Sequence, residues 1–83
     1  MKQEMMPAGT SEQLHYHQQS QQFFFILAGT ATFDIEGKQI EVCVHEGLEV
    51  QAGQKHRIIN KGHSNLEFIL CSQPSILNDR INI

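Results

Sequence analysis

No uninterrupted apolar segment in this chain approaches the ~20 residues that a helix needs to cross a bilayer, and no stretch shows a long amphipathic helical period. The first residues, MKQEMMPAGTSEQ, lack the apolar stretch of a secretion signal. Basic residues are few and scattered: Lys2, Lys38, Lys55, Arg57, Lys61 and Arg80. With a net charge of −3 they make neither the basic face of a nucleic-acid-binding protein nor the polybasic cluster of a membrane-surface one. Only two cysteines occur, Cys43 and Cys71, so at most one internal disulfide could form. The expectation is a cytoplasmic protein with two reduced thiols, each acting as a small buried hydrophobe within an apolar run, EVCV or FILC. There is also no GxSxG, no phosphate-binding loop and no CxxC, which sets aside a nucleophile elbow, a nucleotide cradle and a thioredoxin-like redox pair.

What is present fits one small domain spanning residues 1–83. Folding at this length removes only about 60% of the accessible surface, so stability should lean on a metal or a partner. Glycines at 9, 29, 37, 47, 53 and 62 punctuate short segments rich in β-branched and aromatic residues. TATFDIE and KQIEVCV alternate with period two, placing Ala31, Phe33 and Ile35 on one face, and Ile40, Val42 and Val44 on one face of the next strand. The junction Glu36-Gly37-Lys38 is a tight turn, so the pair reads as a hairpin. Short strands at regular spacing indicate an all-β sandwich or barrel. Residues 1–8 can supply one short first strand. The polar stretch 73–83, QPSILNDRINI, is expected to run over the surface or close one end.

The chemistry lies in the histidines. His15 and His17 share a strand face, with Leu14 and Tyr16 on the other, so both imidazoles can reach one cation at the roughly 2.0–2.1 Å of a metal–nitrogen bond. A second segment, GQKHRIIN, carries His56. Taken together the segments resemble the cupin superfamily. Gly9, His15, His17, Gln22 and Gly29 match its first motif over 9–29, with glutamine in the place of a glutamate. Gly53, His56 and Asn60 match the latter half of its second motif, over 45–60, where His45 holds a glycine place and Gln51 a proline place.

The resemblance implies a double-stranded β-helix, or jelly-roll barrel, with a metal in its mouth. It makes His15, His17, Gln22 and His56 the metal ligands, Gln21 fitting the spacing less well. The chain looks like a small single-domain bacterial-type cupin, either a minimal barrel or one missing N-terminal strands. Three imidazoles and an amide form a neutral set that should favour zinc, iron, nickel or copper over manganese and acidify a coordinated water more strongly than a set with a carboxylate. Two functions follow: a metal-dependent isomerase or dioxygenase acting on a small polar molecule, or a non-catalytic cupin that binds a small ligand beside an empty metal pocket. Unpaired strand edges, and the family's habit, imply a homodimer with exchanged terminal strands. His45 and His63 read as exposed turn residues, Asn60, Gly29 and Gly53 as turn and packing residues, and Phe24, Ile26, Phe33 and Ile58 as core.

Overall fold

The computed structural model describes residues 1–73 and 80–82. They contain nine strands and no helix: β1 (Lys2–Met6), β2 (His15–His17), β3 (Gln21–Ala28), β4 (Ala31–Ile35), β5 (Lys38–Val42), β6 (Gly47–Val50), β7 (His56–Ile59), β8 (Leu66–Gln73) and β9 (Arg80–Asn82). They form two antiparallel sheets, ordered β1-β8-β3-β6 and β5-β4-β7-β2-β9. The all-β double-stranded β-helix expected from the sequence is the architecture found.

Alternation decides what each strand buries. Along β3, Gln22, Phe24 and Ile26 are buried while Phe23 between them is 44% exposed, because successive side chains take opposite faces. Phe24 and Phe68 come from the first sheet and Phe33 from the second. The Phe24 and Phe33 ring centroids, 4.9 Å apart, join the two, and Phe68 packs against Phe24 at 5.8 Å within the first sheet. Ile26, Ala31, Ile58 and Leu66 complete a core with no accessible surface at those positions. Each large apolar side chain so buried contributes about 1.5–3 kcal/mol relative to exposure.

The β4–β5 hairpin closes with Ile35 opposite Lys38, and both intervening residues have positive φ: Glu36 at 50° and Gly37 at 83°. That is the type I′ geometry that matches strand twist. Asparagine usually fills the first position, and Glu36 has a separate reason to be there. Its backbone N–H donates to the Lys55 carbonyl (2.9 Å), and its carboxylate accepts the Lys55 N–H (3.0 Å). The turn therefore clamps the backbone immediately before His56. At Gly29, φ is +81°, and a Cβ would lie 2.9 Å from the Asn65 carbonyl oxygen, so both conformation and space require glycine. Asn60 is 1% exposed. It donates to the carbonyls of Met6 and Ser64 and accepts the Gly62 N–H, stitching β1 to the turn after β7 as the packing residue expected.

Two expectations about the EVCV run fail. β5 ends at Val42, and Val44 is 46% exposed rather than continuing the buried face of Val42. Cys43 is exposed instead of buried. The cause is a turn: the Cys43 N–H donates to the Glu46 carboxylate (2.8 Å) and the Glu46 N–H to the Cys43 carbonyl (3.0 Å). Cys71 is partly buried, opposite Phe23 on the outward side of the first sheet, and both thiols are free. The reading of 73–83 as a surface stretch falls mostly outside the described residues. Gln73 ends β8, and Arg80–Asn82 pair with β2 as an edge strand.

His45, in the motif's glycine place, has φ 65°. The backbone keeps the conformation a glycine would take, and its N–H donates to the Ile26 carbonyl at 2.7 Å. A non-glycine residue there costs about 1–3 kcal/mol, and restoring glycine costs roughly 0.5–1 kcal/mol in chain entropy. His45→Gly is therefore expected to stabilise by about 1 kcal/mol, raising Tm by about 4–8 °C. A lower Tm in thermal unfolding would mean that the stacking of His45 on Phe25 (6.3 Å) outweighs the strain.

Candidate metal centre

His15 and His56 are direct cross-strand partners on β2 and β7, so pleating brings both imidazoles to the interior face. His17, two residues on, takes the same face and is only partly buried, whereas His15 and His56 are 3% and 1% exposed. Ring centroids lie 4.4 Å (His15–His56), 5.4 Å (His15–His17) and 5.8 Å (His17–His56) apart. One ring nitrogen from each falls within 4.8 Å of the others. Gln22 arrives from the facing sheet on β3, 5% exposed, with its Oε1 3.0 Å from His56 Nε2 and its Nε2 3.4 Å from Ser72 Oγ. The four residues singled out in the sequence thus meet across the two sheets.

The orientation of two rings is fixed by their neighbours. His15 Nδ1 lies 2.8 Å from the Gln13 carbonyl and His56 Nδ1 2.9 Å from the Gln54 carbonyl, the same two-residue step back along the chain in each case. A backbone carbonyl only accepts, so each Nδ1 donates, and each ring turns its Nε2 away from that carbonyl. This is the arrangement by which metal-binding histidines are usually held. Nitrogens bound to one ion at about 2.0–2.1 Å lie roughly 3–3.4 Å apart. Side-chain movements on the order of an ångström would close the three imidazoles on a cation, and the donor set suits one.

The second motif's departures are accommodated locally. Gln51, in the proline place, has an N–H that proline would lack, and Gln54 Oε1 accepts it at 2.9 Å. The Gln54 N–H returns a bond to the Gln51 carbonyl (3.2 Å), and the Gly53 N–H donates to the His17 carbonyl (2.7 Å). The turn leading to His56 is thereby tied to the strand bearing His17. Phe24, 6.5 Å from the His56 ring centroid, supplies an apolar wall. His45 and His63 are exposed and stand apart from the cluster, as expected of turn residues. A shallow groove of about 290 Å³ lined by Leu14, Asp34, Glu36, Gly37 and Lys55 includes none of the four candidate residues.

Sequence reasoning missed Ser72 and the carbonyls of Gln13 and Gln54. Ser72 becomes visible only through the β3–β8 register, which sets it opposite Gln22. The carbonyls carry no side-chain signal at all.

The family model for the cupin domain matches residues 1–72. An oxalate-binding protein from Thermotoga maritima is 31% identical over 64 residues, 77% of this chain and 53% of that protein. A crystal structure from the same organism, of a predicted oxalate decarboxylase, superposes with a TM-score of 0.80 at 28% identity, over 84% of this chain and 61% of the other. A Klebsiella pneumoniae protein with a double-stranded β-helix domain gives a TM-score of 0.86 at 18% identity, covering 96% and 70%. The chain spans about half or less of the length of the curated relatives it matches.

Proposed function

The chain belongs to the cupin family, and from that premise we propose that it is a small metal-binding cupin whose pocket takes a small polar molecule. The observation that carries this reading is the convergence of His15, His17 and His56, with ring nitrogens within 4.8 Å of one another and two rings already fixed with Nδ1 on a carbonyl. His15, His17 and His56 would hold the ion, with Gln22 beside them in the carboxylate place. The all-nitrogen set favours zinc, iron, nickel or copper over manganese. A bound ion would supply Lewis acidity to a polar ligand, of the kind an isomerase or a dioxygenase uses. The chain's own residues exclude water through burial of His15 and His56 and wall the site with Phe24. An oxalate-binding relative supports a small, oxygen-rich ligand. Elemental analysis of untagged protein tests the reading, with zinc, iron, nickel or copper expected at up to one ion per chain. Metal-free protein that also fails to take up added ions would overturn it.

One observation favours a second reading, a non-catalytic cupin that binds its ligand beside a metal-free pocket. Gln22 is already hydrogen-bonded to His56 and within reach of Ser72, so these side chains hold a contact that needs no ion. A ligand that binds equally well to chelated and metal-loaded protein would support it.

We also propose a homodimer. Phe23 (44% exposed) and Met5 (58% exposed) stand on the outward side of the β1-β8-β3-β6 sheet, with the partly buried Phe25 and Ile69 paired between them. An apolar sheet face of this kind is what a second copy would cover. Sedimentation should give a dimer at micromolar concentration, and a stable monomer would contradict it. The two free thiols, one of them exposed, are in keeping with a reducing, cytoplasmic setting.

A further inference from the structure

A glutamate offers two equivalent oxygens, but the two ends of the Gln22 side chain do opposite things: the oxygen accepts, and the NH2 only donates. An amide serves a cation through its oxygen. Which end faces the histidines therefore decides whether residue 22 can help to hold an ion. The shape of the amide does not make that choice, since its two ends are nearly alike. Its neighbours have to. Directly opposite Gln22 stand Val50 on β6 and Ser72 on β8, and residues so paired share a face of the sheet. The Val50 side chain is hydrocarbon and bonds to neither end. Ser72 brings one hydroxyl, and Gln22 Nε2 lies 3.4 Å from its Oγ, while Gln22 Oε1 lies 3.0 Å from His56 Nε2. At a position 5% exposed an NH2 group needs a partner within the protein, and a hydroxyl oxygen with two lone pairs is one.

We propose that Ser72 is a positioning residue for the metal site: its hydroxyl oxygen accepts the Gln22 amide N–H and so keeps Gln22 Oε1 turned toward the histidines, as a donor beside the three imidazoles. The inference rests on the reading of the three histidines as a metal site. It goes beyond that reading in assigning a role to a residue that acts on the site only through Gln22. Ser72 also accounts for how an amide can stand in a carboxylate's place. Turned end for end, the amide would present N–H donors where a cation needs a lone pair. A carboxylate has no wrong way round and needs no such partner. The Gln22–Ser72 contact is longer than the roughly 2.7–3.2 Å common for N–H···O bonds, so its loss should change affinity several-fold, not by orders of magnitude.

Zinc titration tests this. Ser72→Ala should bind zinc about fivefold more weakly than wild type, the equivalent of one neutral hydrogen bond. Ser72→Thr keeps the hydroxyl and should bind as wild type does. Ser72→Val matches threonine in shape but not in its hydroxyl, and should bind as Ser72→Ala does. Equal affinity in the threonine and valine variants overturns the proposal, and that comparison stands even where the alanine variant folds poorly. Gln22→Ala should itself weaken binding, and adding Ser72→Ala to it should change nothing more. A further fivefold loss in the double variant gives Ser72 a role of its own, and unaltered affinity in Gln22→Ala takes Gln22 out of the ligand set; either result overturns the proposal. The visible spectrum of cobalt-loaded protein reports the ligand set rather than stability. Ser72→Val should shift it toward that of Gln22→Ala, and a wild-type spectrum in that variant overturns the positioning role. Wild-type protein that takes up no zinc overturns the metal-site reading itself, and the role of Ser72 with it.

Discussion

Protein carrying His56→Ala, purified without a histidine tag, is expected to contain no metal, with affinity for added zinc or nickel reduced on the order of a thousandfold. The figure exceeds the 10–100-fold that losing an outer partner of a ligand costs, because an inner ligand goes. His56 is also the innermost of the three, 1% exposed, and is fixed on both sides, by the Gln54 carbonyl and by Gln22. Its removal opens a cavity and leaves the Gln22 amide without its partner, so stability should fall as well, by roughly 2–4 kcal/mol. His17→Ala separates the two effects. That residue is only partly buried, and its loss should empty the site with a smaller drop in Tm. His45→Ala, at an exposed turn away from the cluster, should leave metal content unchanged. An unaltered metal-to-protein ratio in His56→Ala would remove the histidine set from consideration.

The site was more legible in the sequence than the surface around it, and the reason is the range over which each signal acts. Spacing within a strand is local: His15 and His17 must share a face whatever their strand pairs with, and the period-two run of β4 announces its buried side. The motif spacing then supplied Gln22 and His56 through the resemblance, and the β2–β7 and β3–β8 registers bring them together. Cys43 and Val44 were misread because periodicity cannot see a turn closed by a side chain. The Glu46 carboxylate captures the Cys43 N–H and ends the strand where the apolar alternation runs on. His45 shows the converse. The residue in the motif's glycine place changed while the backbone conformation did not. Ser72 lies 50 residues from Gln22, and such a pairing follows from topology alone. The ring orientations of His15 and His56 depend on carbonyls that every residue possesses, so only the fold could choose Gln13 and Gln54.

Gln22→Glu should strengthen metal binding by roughly one to two orders of magnitude, and the increase should be largest for manganese, since a carboxylate oxygen suits harder ions than imidazole alone does. The carboxylate brings a negative charge into a ligand set that has none, an attraction amplified in a site only 5% exposed at residue 22 and largely offset by the desolvation of that charge. The metal-free variant should be less stable, because a carboxylate at a position 5% exposed loses its hydration, at a cost of about 1–3 kcal/mol, or a Tm lower by at least about 4 °C in a domain of this size. Metal at a hundred times its Kd returns about 2.7 kcal/mol, so the loss should vanish on loading. The gap in Tm between metal-free and metal-loaded protein should therefore widen from wild type to Gln22→Glu. A variant whose affinity for manganese does not rise would mean that residue 22 does not face the ion.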